Sequence, residues 1–430
     1  MSTVYSQASI IVPQSAGYQA DILHAWNPQT SSLVDFDVVR NTTATRVNES
    51  GLIESVAANV PRIDWPIGGG CPSLLVEPQR TNLLQRSEEF DNAYWTKNNA
   101  TVTANDAVAP DGYANADKLV ENTNNTYHGL RATITSSINP FSFSVFAKSF
   151  SGNRYLQLRM ANDISGSISA LFDLDIGTII VDTTLYGGGY SVSPSKIISL
   201  GNGWYKCTVS GNKTDNVGNN NIEINLSSTI SGTEIDPYTG DGTSGLFIWG
   251  AQLEVGSNAT SYIPTTSAAV TRNADVISKT GISSLIGQSE GTLYAEVDLS
   301  NLEDGNRVIA ISDNTNFNRV AIFLKIESST PRIEAIAFAA LSETARITSG
   351  TITEGVFKIA VGYANDNFAL YINGTQIGED LDCAMPACSA AYLGTREDAT
   401  GTLIFNNRIK AAAILPARLT NAELKALTTP

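Results

Sequence analysis

Along nearly its whole length the chain alternates apolar and polar side chains in short runs, broken by clusters of Gly, Asn, Asp and Ser. Phe141-Ser-Phe-Ser-Val-Phe-Ala-Lys148, Tyr155-Leu-Gln-Leu-Arg-Met160, Trp204-Tyr-Lys-Cys-Thr-Val209 and Ile222-Glu-Ile-Asn-Leu226 all repeat with a period of two. Successive side chains of a strand point to opposite faces, so this period marks half-buried strands. Many such strands separated by turn signals imply β-sandwiches or jelly rolls. Composition agrees: charged residues are only 16% of the chain, against about 25% in an average globular domain. The polar surface must come from Asn, Ser, Thr and Gly, which suit exposed strands and turns better than exposed helices.

Helical signals are confined to two places. Residues 419–427 place Thr420 three residues before Glu423, the spacing of a capping box. A second short helix is expected around Ser87 to Tyr94. The 430 residues suggest two or three domains. The reading is mostly β: an N-terminal segment 1–80, a sandwich over 81–265, a linker over 266–289 and a second sandwich over 290–430. The first segment holds apolar runs, Ser9-Ile-Ile-Val12 and Leu33-Val-Asp-Phe-Asp-Val-Val39, too few to close a core. It also carries Pro61, Pro66, Pro72, Pro78 and three consecutive glycines from Gly68 to Gly70, which interrupt sheet ladders. Exposed apolar strands need a cover. The segment is therefore expected to attach the chain to a larger particle and to hold its self-association contacts. The other reading has it pack on the first sandwich of its own chain.

Several chemistries find no support. A net charge of -15 opposes a phosphate backbone, so no nucleic-acid partner is expected. No apolar stretch is long enough for a transmembrane helix. The first residues lack the basic and apolar regions of a secretory signal, which fits a particle assembled in a host cytoplasm and released by lysis; a secreted chain with its signal removed would read the same. His24 and His128 are the only histidines, so neither a zinc site nor a Ser-His or Cys-His nucleophile emerges. The glycine runs 68–70 and 187–189 lack the helix and Lys-Ser/Thr pair of a phosphate loop and read as turns. Cys383 and Cys388 flank four residues and are either a small disulfide loop or two buried thiols. No cofactor, no metal and no catalytic residue are expected. Glu296 and Asp298 share one strand face, but the position three after Asp298 is Asn301 rather than a further carboxylate, so they read as a solvent face.

Sugar binding would use aromatic platforms with amide and carboxylate hydrogen bonds. The candidates are Trp95, Tyr127, Tyr155, Tyr186, Tyr190 and Tyr238, whereas Trp204 and Trp249 lie within strand patterns and read as core.

Residues 44–65 (Ala44-Thr-Arg-Val-Asn-Glu-Ser-Gly to Asp64-Trp65) and 71–84 (Cys71-Pro-Ser-Leu-Leu-Val-Glu-Pro-Gln-Arg-Thr-Asn-Leu-Leu84) resemble the connector of phage head-fibre and tail-fibre proteins. There it precedes a jelly roll similar to carbohydrate-binding modules. Asn82 to Phe90, Trp95, Pro110-Asp-Gly112, Gly203-Trp-Tyr205, Phe247 to Glu254 and Tyr262-Ile-Pro-Thr265 are similar to that module type. Gly291 to Asp298, Phe368 to Gly374 and Leu419 to Leu424 resemble laminin-G and concanavalin-A-like sandwiches. The resemblance implies a virion surface structural protein, in contact with capsid or tail proteins, homo-oligomeric with three copies favoured, and displaying modules for a host-surface glycan. It also implies a calcium site on the last strand of the first module, but Trp249-Gly250 stand where the acidic pair is expected. Asp236, Asp241, Asp173 and Asp175 are the other acidic candidates and read as turns. The competing readings are a polysaccharide-degrading enzyme and a secreted bacterial adhesin.

Overall fold

The computed structural model describes residues 4–13, 17–19, 21–135, 139–162, 166–214, 219–230, 237–398 and 402–430. It is built almost entirely of antiparallel strands. The alternating runs form the strands Phe141–Ser151, Tyr155–Asn162, Trp204–Lys213 and Asn220–Ser227.

The first sandwich consists of two six-stranded sheets. One runs, in spatial order, Thr96–Asn98, His128–Ile134, Asn220–Ser227, Tyr155–Asn162, Gly166–Asp173 and Thr178–Gly187. The facing sheet runs Ala100–Ala107, Ala116–Glu121, Gly245–Val255, Phe141–Ser151, Trp204–Lys213 and Tyr190–Gly201. Leu130, Leu156, Leu158, Ile168 and Ile224 of the first meet Phe143, Val145, Val209, Ile248 and Leu253 of the second in one core.

The second sandwich is assembled from both ends of the chain. The strand Asn407–Leu415 pairs along one side with Glu290–Leu299. Along its other side it pairs with Ile10–Val12 and with Ser73–Val76. The strand Ser32–Val39 pairs with Ile22–Asn27 through Phe36, and from Asp37 onward with Val276–Thr280 of the opposite layer. One strand thus turns the corner between the two layers. Ile10, Val12, Leu23, Val34, Phe36, Ile63, Leu74 and Val76 join Leu293, Val297, Ile322, Val361 and Ile414 in one core. The apolar strands that lacked a core of their own within residues 1–80 find one in the same chain, on the second sandwich. Likewise Val276–Thr280, inside the stretch read as a linker, is a paired strand.

The first sandwich is consequently an insertion into the second. The chain enters through Arg80–Asn82 and leaves through Val270–Arg272, which pair antiparallel as a neck. Beside it lies a buried ionic cluster of three arginines and two carboxylates. Arg62 donates to Glu77 at 2.6 Å and also to Asp275. Arg40 donates to Asp275 at 2.8 Å, and Arg272 lies 3.3 Å from Glu77. Glu77 also accepts from the backbone and hydroxyl of Ser261 in the first sandwich, both at 2.7 Å. Burial alone would raise the Glu77 carboxyl; Arg62 and Arg272 outweigh it and hold the group well below the usual carboxylate range.

The terminal helix, Asn421–Thr428, carries both halves of the capping box between Thr420 and Glu423. The helix expected around Ser87 to Tyr94 does not form. Successive turns stand there, with Glu89 bonded to Arg86, Asn92 to Glu89 and Trp95 to Asn92. The Asp117 carboxylate takes the Phe90 amide at 2.8 Å, and Trp95 donates its indole N–H to the Arg86 carbonyl at 3.0 Å. These tertiary bonds take up groups that a helical ladder would need.

Candidate functional site

In the sheet led by Thr96–Asn98, the alternation that sends Leu130, Ile224, Leu158 and Ala170 into the core sends their neighbours to the other face. Strand register arranges these in rows. Gly129, Asn225 and Gln157 are in line on adjacent strands. The next row is Arg131, Glu223, Arg159, Ser169 and Thr184, and the one after is Thr133, Asn221, Ala161, Ser167 and Tyr186. Neighbours in a row are about 4.8 Å apart across the sheet, the spacing at which side chains bond one another. Arg159 donates to Glu223 at 2.8 Å and Thr133 to Asn221 at 3.0 Å. The Asn225 amide donates to Gln157 at 3.5 Å. At Gly129 a Cβ would come within 2.4 Å of the Asn225 amide oxygen. Only glycine leaves Asn225 room to lie across its neighbour.

The floor is polar and deep. Asn225 is 1% exposed and Gln157 2%. Buried polar groups are costly unless they are paired, so an outward sheet face made of them is a more informative feature than an exposed apolar one. The Arg159 Nε is buried with no partner among the described residues. A guanidinium with a spare donor, a carboxylate and two amides are the groups that read hydroxyl patterns.

Three of the six aromatic candidates stand on this face. Tyr155 is half-buried and opposite Ser227, one row beyond Gln157. Tyr127 immediately precedes the strand carrying Gly129, at the end of this face, and is 40% exposed. Tyr186 is opposite Ser167 at the far edge and 51% exposed. Tyrosines thus bound the polar rows at both ends.

The other three are removed from that role. Trp95 is fully buried against Phe90 and Tyr94. Tyr190 is buried edge-on to Phe141. In both, a large ring fills the core, and neither offers a face to solvent. The Tyr238 ring is engaged by the His128 ring, tilted at 4.7 Å, and by the Arg154 guanidinium at 5.2 Å. Its hydroxyl donates to Glu121 at 2.6 Å, and burial together with that carboxylate pushes it above the usual phenol range. Trp204 and Trp249 are buried, in a satellite core with Phe146 and Tyr262.

Sequence reading missed Arg131, Gln157, Arg159, Glu223 and Asn225. The signal of four of them was present, since large polar residues occupy alternate positions of the runs 155–160 and 222–226; Arg131 lies outside both. Alternation alone does not separate a solvated face from a recognition face.

The acidic candidates resolve as follows. The Asp241 carboxylate accepts from the Thr243 and Ser244 amides, both at 2.7 Å, and Asp173 accepts from Asp175 and Ile176; these are turns. Asp236 lies outside the described residues. Glu296 and Asp298 do share a face, with Lys410 3.3 Å from Glu296 and Arg408 opposite Asp298 in register. Cys383 and Cys388 are separate, buried thiols.

No protein-family model matches the chain. No curated protein matches it. Among solved structures, the chain is similar to CBM40 of the Ruminococcus gnavus IT-sialidase bound to α2,3-sialyllactose (13% identity, 35% of this chain and 91% of that one, TM-score 0.30). It is also similar to domains LG4-5 of the mouse laminin α1 chain (8% identity, 67% and 90%, TM-score 0.23). A third likeness is to Trypanosoma rangeli sialidase in complex with the inhibitor DANA (11% identity, 94% and 81%, TM-score 0.27). Similarity this distant carries no information on ligand or activity.

Proposed function

We propose that this chain is a phage virion surface structural protein, of the head-fibre, decoration or tail-fibre kind, whose first sandwich offers a glycan-binding face to the host surface. The observation that carries the glycan reading is the set of polar rows from Arg131 to Thr184 and from Gly129 to Gln157, bounded by Tyr127, Tyr155 and Tyr186. A saccharide stacks its apolar ring face on tyrosine and exchanges hydroxyl hydrogen bonds with guanidinium, carboxylate and amide groups. Beside the floor of Gln157 and Asn225, the half-buried Arg159 pairs with Glu223, and Arg131 stands opposite Glu223 on the adjacent strand. The virion reading is supported by the resemblance of residues 44–84 to fibre connectors. With it come capsid or tail partners, a virion-surface location and a homo-oligomer. Catalysis is not part of this proposal: Glu296 and Asp298, the two carboxylates that share a strand face, are faced by Lys410 and Arg408.

Two measurements test the two halves. Purified phage particles are probed by immunogold labelling, where label on the particle surface is expected; particles devoid of the chain overturn the virion assignment. The purified chain is also titrated onto host cells and onto extracted host surface polysaccharide. Tyr155→Ala and Arg159→Ala are expected to weaken retention by about tenfold each, a typical loss for an interface anchor. Retention unchanged by both variants removes the face from consideration.

A further inference from the structure

The insertion of one sandwich into the other leaves a cleft of about 820 Å³ between them, within the roughly 300–1,000 Å³ of ligand sites, which favour domain interfaces. One wall is the outward face of the sheet containing Trp204–Lys213, with Thr208 and Ser210. The opposite wall is the rim of the second sandwich, with Asn301, Asn406 and Asn407, and the half-buried Trp65 of the connector also lines the cleft.

The walls are fixed before any ligand arrives. Lys196 of the first sandwich reaches across to the Ser300 carbonyl at 2.5 Å and Glu354 at 2.7 Å in the second. Asn407 accepts the Ser300 and Asn301 amides, both at 2.8 Å, and pins that loop. At the back stands the ionic cluster of the neck, since Glu77 also lines the cleft. Such preorganisation lowers the ordering cost of binding.

Most charged lining groups are offset within the structure: Lys196 pairs with Glu354, Arg408 with Asp64 at 2.7 Å, Arg46 with Glu54 at 2.8 Å and Lys410 with Glu296, while Lys206 donates to the Thr260 carbonyl at 2.5 Å and Asp298 stands opposite Arg408 in register. The rest of the polar lining is hydroxyl and amide. The amide oxygen of Asn406, a residue only 1% exposed, has no partner among the described residues; such an orphaned acceptor is unusual and needs a donor. A site with mostly offset charges, one orphaned amide acceptor, the hydroxyls of Thr208 and Ser210 and one indole suits a ligand that is rich in hydroxyl donors and carries no net charge.

We propose that the cleft between the sandwiches binds a neutral oligosaccharide, a site separate from the tyrosine-bounded face and independent of it. The volume suits roughly two to three sugar rings at the scale of known ligand pockets.

The test is saturation-transfer NMR on the full chain with maltotriose, cellotriose and tri-N-acetylchitotriose as neutral probes and trigalacturonate as the acidic comparison. The variants are Trp65→Ala, which removes the indole, Ser199→Trp, which fills the cleft from an exposed lining position, and Tyr155→Ala on the other face. The expected result is transfer to at least one neutral trisaccharide, weakened about tenfold (about 1.4 kcal/mol) by each cleft variant and untouched by Tyr155→Ala. Absence of transfer to all three neutral probes overturns the proposal. So does trigalacturonate binding as strongly, or binding that survives both cleft variants. Loss in Tyr155→Ala alone assigns the sugar to the tyrosine face and leaves the cleft reading refuted.

Discussion

Glu77→Gln is the most informative single change in this protein. The carboxylate is 5% exposed and meets Arg62 at 2.6 Å, Arg272 at 3.3 Å and Ser261 through two bonds of 2.7 Å. Glutamine keeps the shape and an acceptor oxygen but removes the charge. Arg40, Arg62 and Arg272 would then share Asp275 as their nearest carboxylate, all of them buried. Removing one partner of a buried ion pair costs about 3–5 kcal/mol, because the opposite charge is left uncompensated. We expect a loss of that size in urea unfolding, read from the shift in midpoint at constant slope. Ser261 belongs to the first sandwich and Arg62 to the second, so the variant is also expected to make the neck between them a site of limited proteolysis. The pH dependence has a definite sign. The folded Glu77 carboxyl sits below its ordinary value of 4.5, so near that pH the unfolded chain binds more protons than the folded one. Its contribution is complete above about pH 4.5 and is lost as pH falls toward the depressed folded value. Glu77→Gln should flatten the acid limb of the stability profile. A loss below about 1 kcal/mol, within the range of ordinary surface changes, with the neck still resistant to protease, would refute the picture of a charge cluster that fastens the two sandwiches.

Deleting residues 1–60 removes Ile10, Val12, Leu23, Val34 and Phe36 from the second core; at about 1.5–3 kcal/mol per side chain this rivals a whole domain's stability, so dye binding to exposed apolar surface and loss of soluble chain are expected, and a truncated chain that melts like the full one contradicts it. Trp95→Ala should cost about 3–5 kcal/mol in thermal or urea unfolding, whereas Tyr186→Ala, at a half-exposed position, should stay within about 0.5 kcal/mol; equal effects would mean the core and surface assignments are interchanged. In thiol titration of the native chain, the exposed Cys71 should react while Cys207, Cys383 and Cys388 wait for denaturant, since burial raises all three and pushes Cys388 up to about 12; a second fast thiol in the native state would show that one of these is accessible.

Much of the local architecture was legible because its causes are local. The period of two in residues 141–148 and 222–226 is a property of neighbouring side chains, and the Thr420–Glu423 capping box is a bond over three residues. The rows of the candidate face were only half legible. Alternation told that Gln157 and Arg159 share a side of their strand, but not that Asn225 and Glu223 stand beside them. Register across strands depends on partners chosen at long range. Trp95 and Tyr190 failed as platforms for the same reason: only packing shows which ring fills the core.

By itself, then, the sequence determined that this is a chain of antiparallel strands and turns, with a helix at its C-terminal end and no helical core. Those follow from propensity, alternation and capping, which act within a few residues. Tertiary structure alone decided that Ile10–Val12 lies against Ala412 to Ile414, and that the first sandwich is threaded into the second through the neck at Arg80–Asn82 and Val270–Arg272. The physical reason is that an open strand edge carries no address. Its amides and carbonyls are the same for every partner, and the choice is made by which apolar face can be buried where. Ile10, Leu23 and Phe36 could not close a core among themselves, and the strands of residues 276–415 had an edge and an apolar face to match.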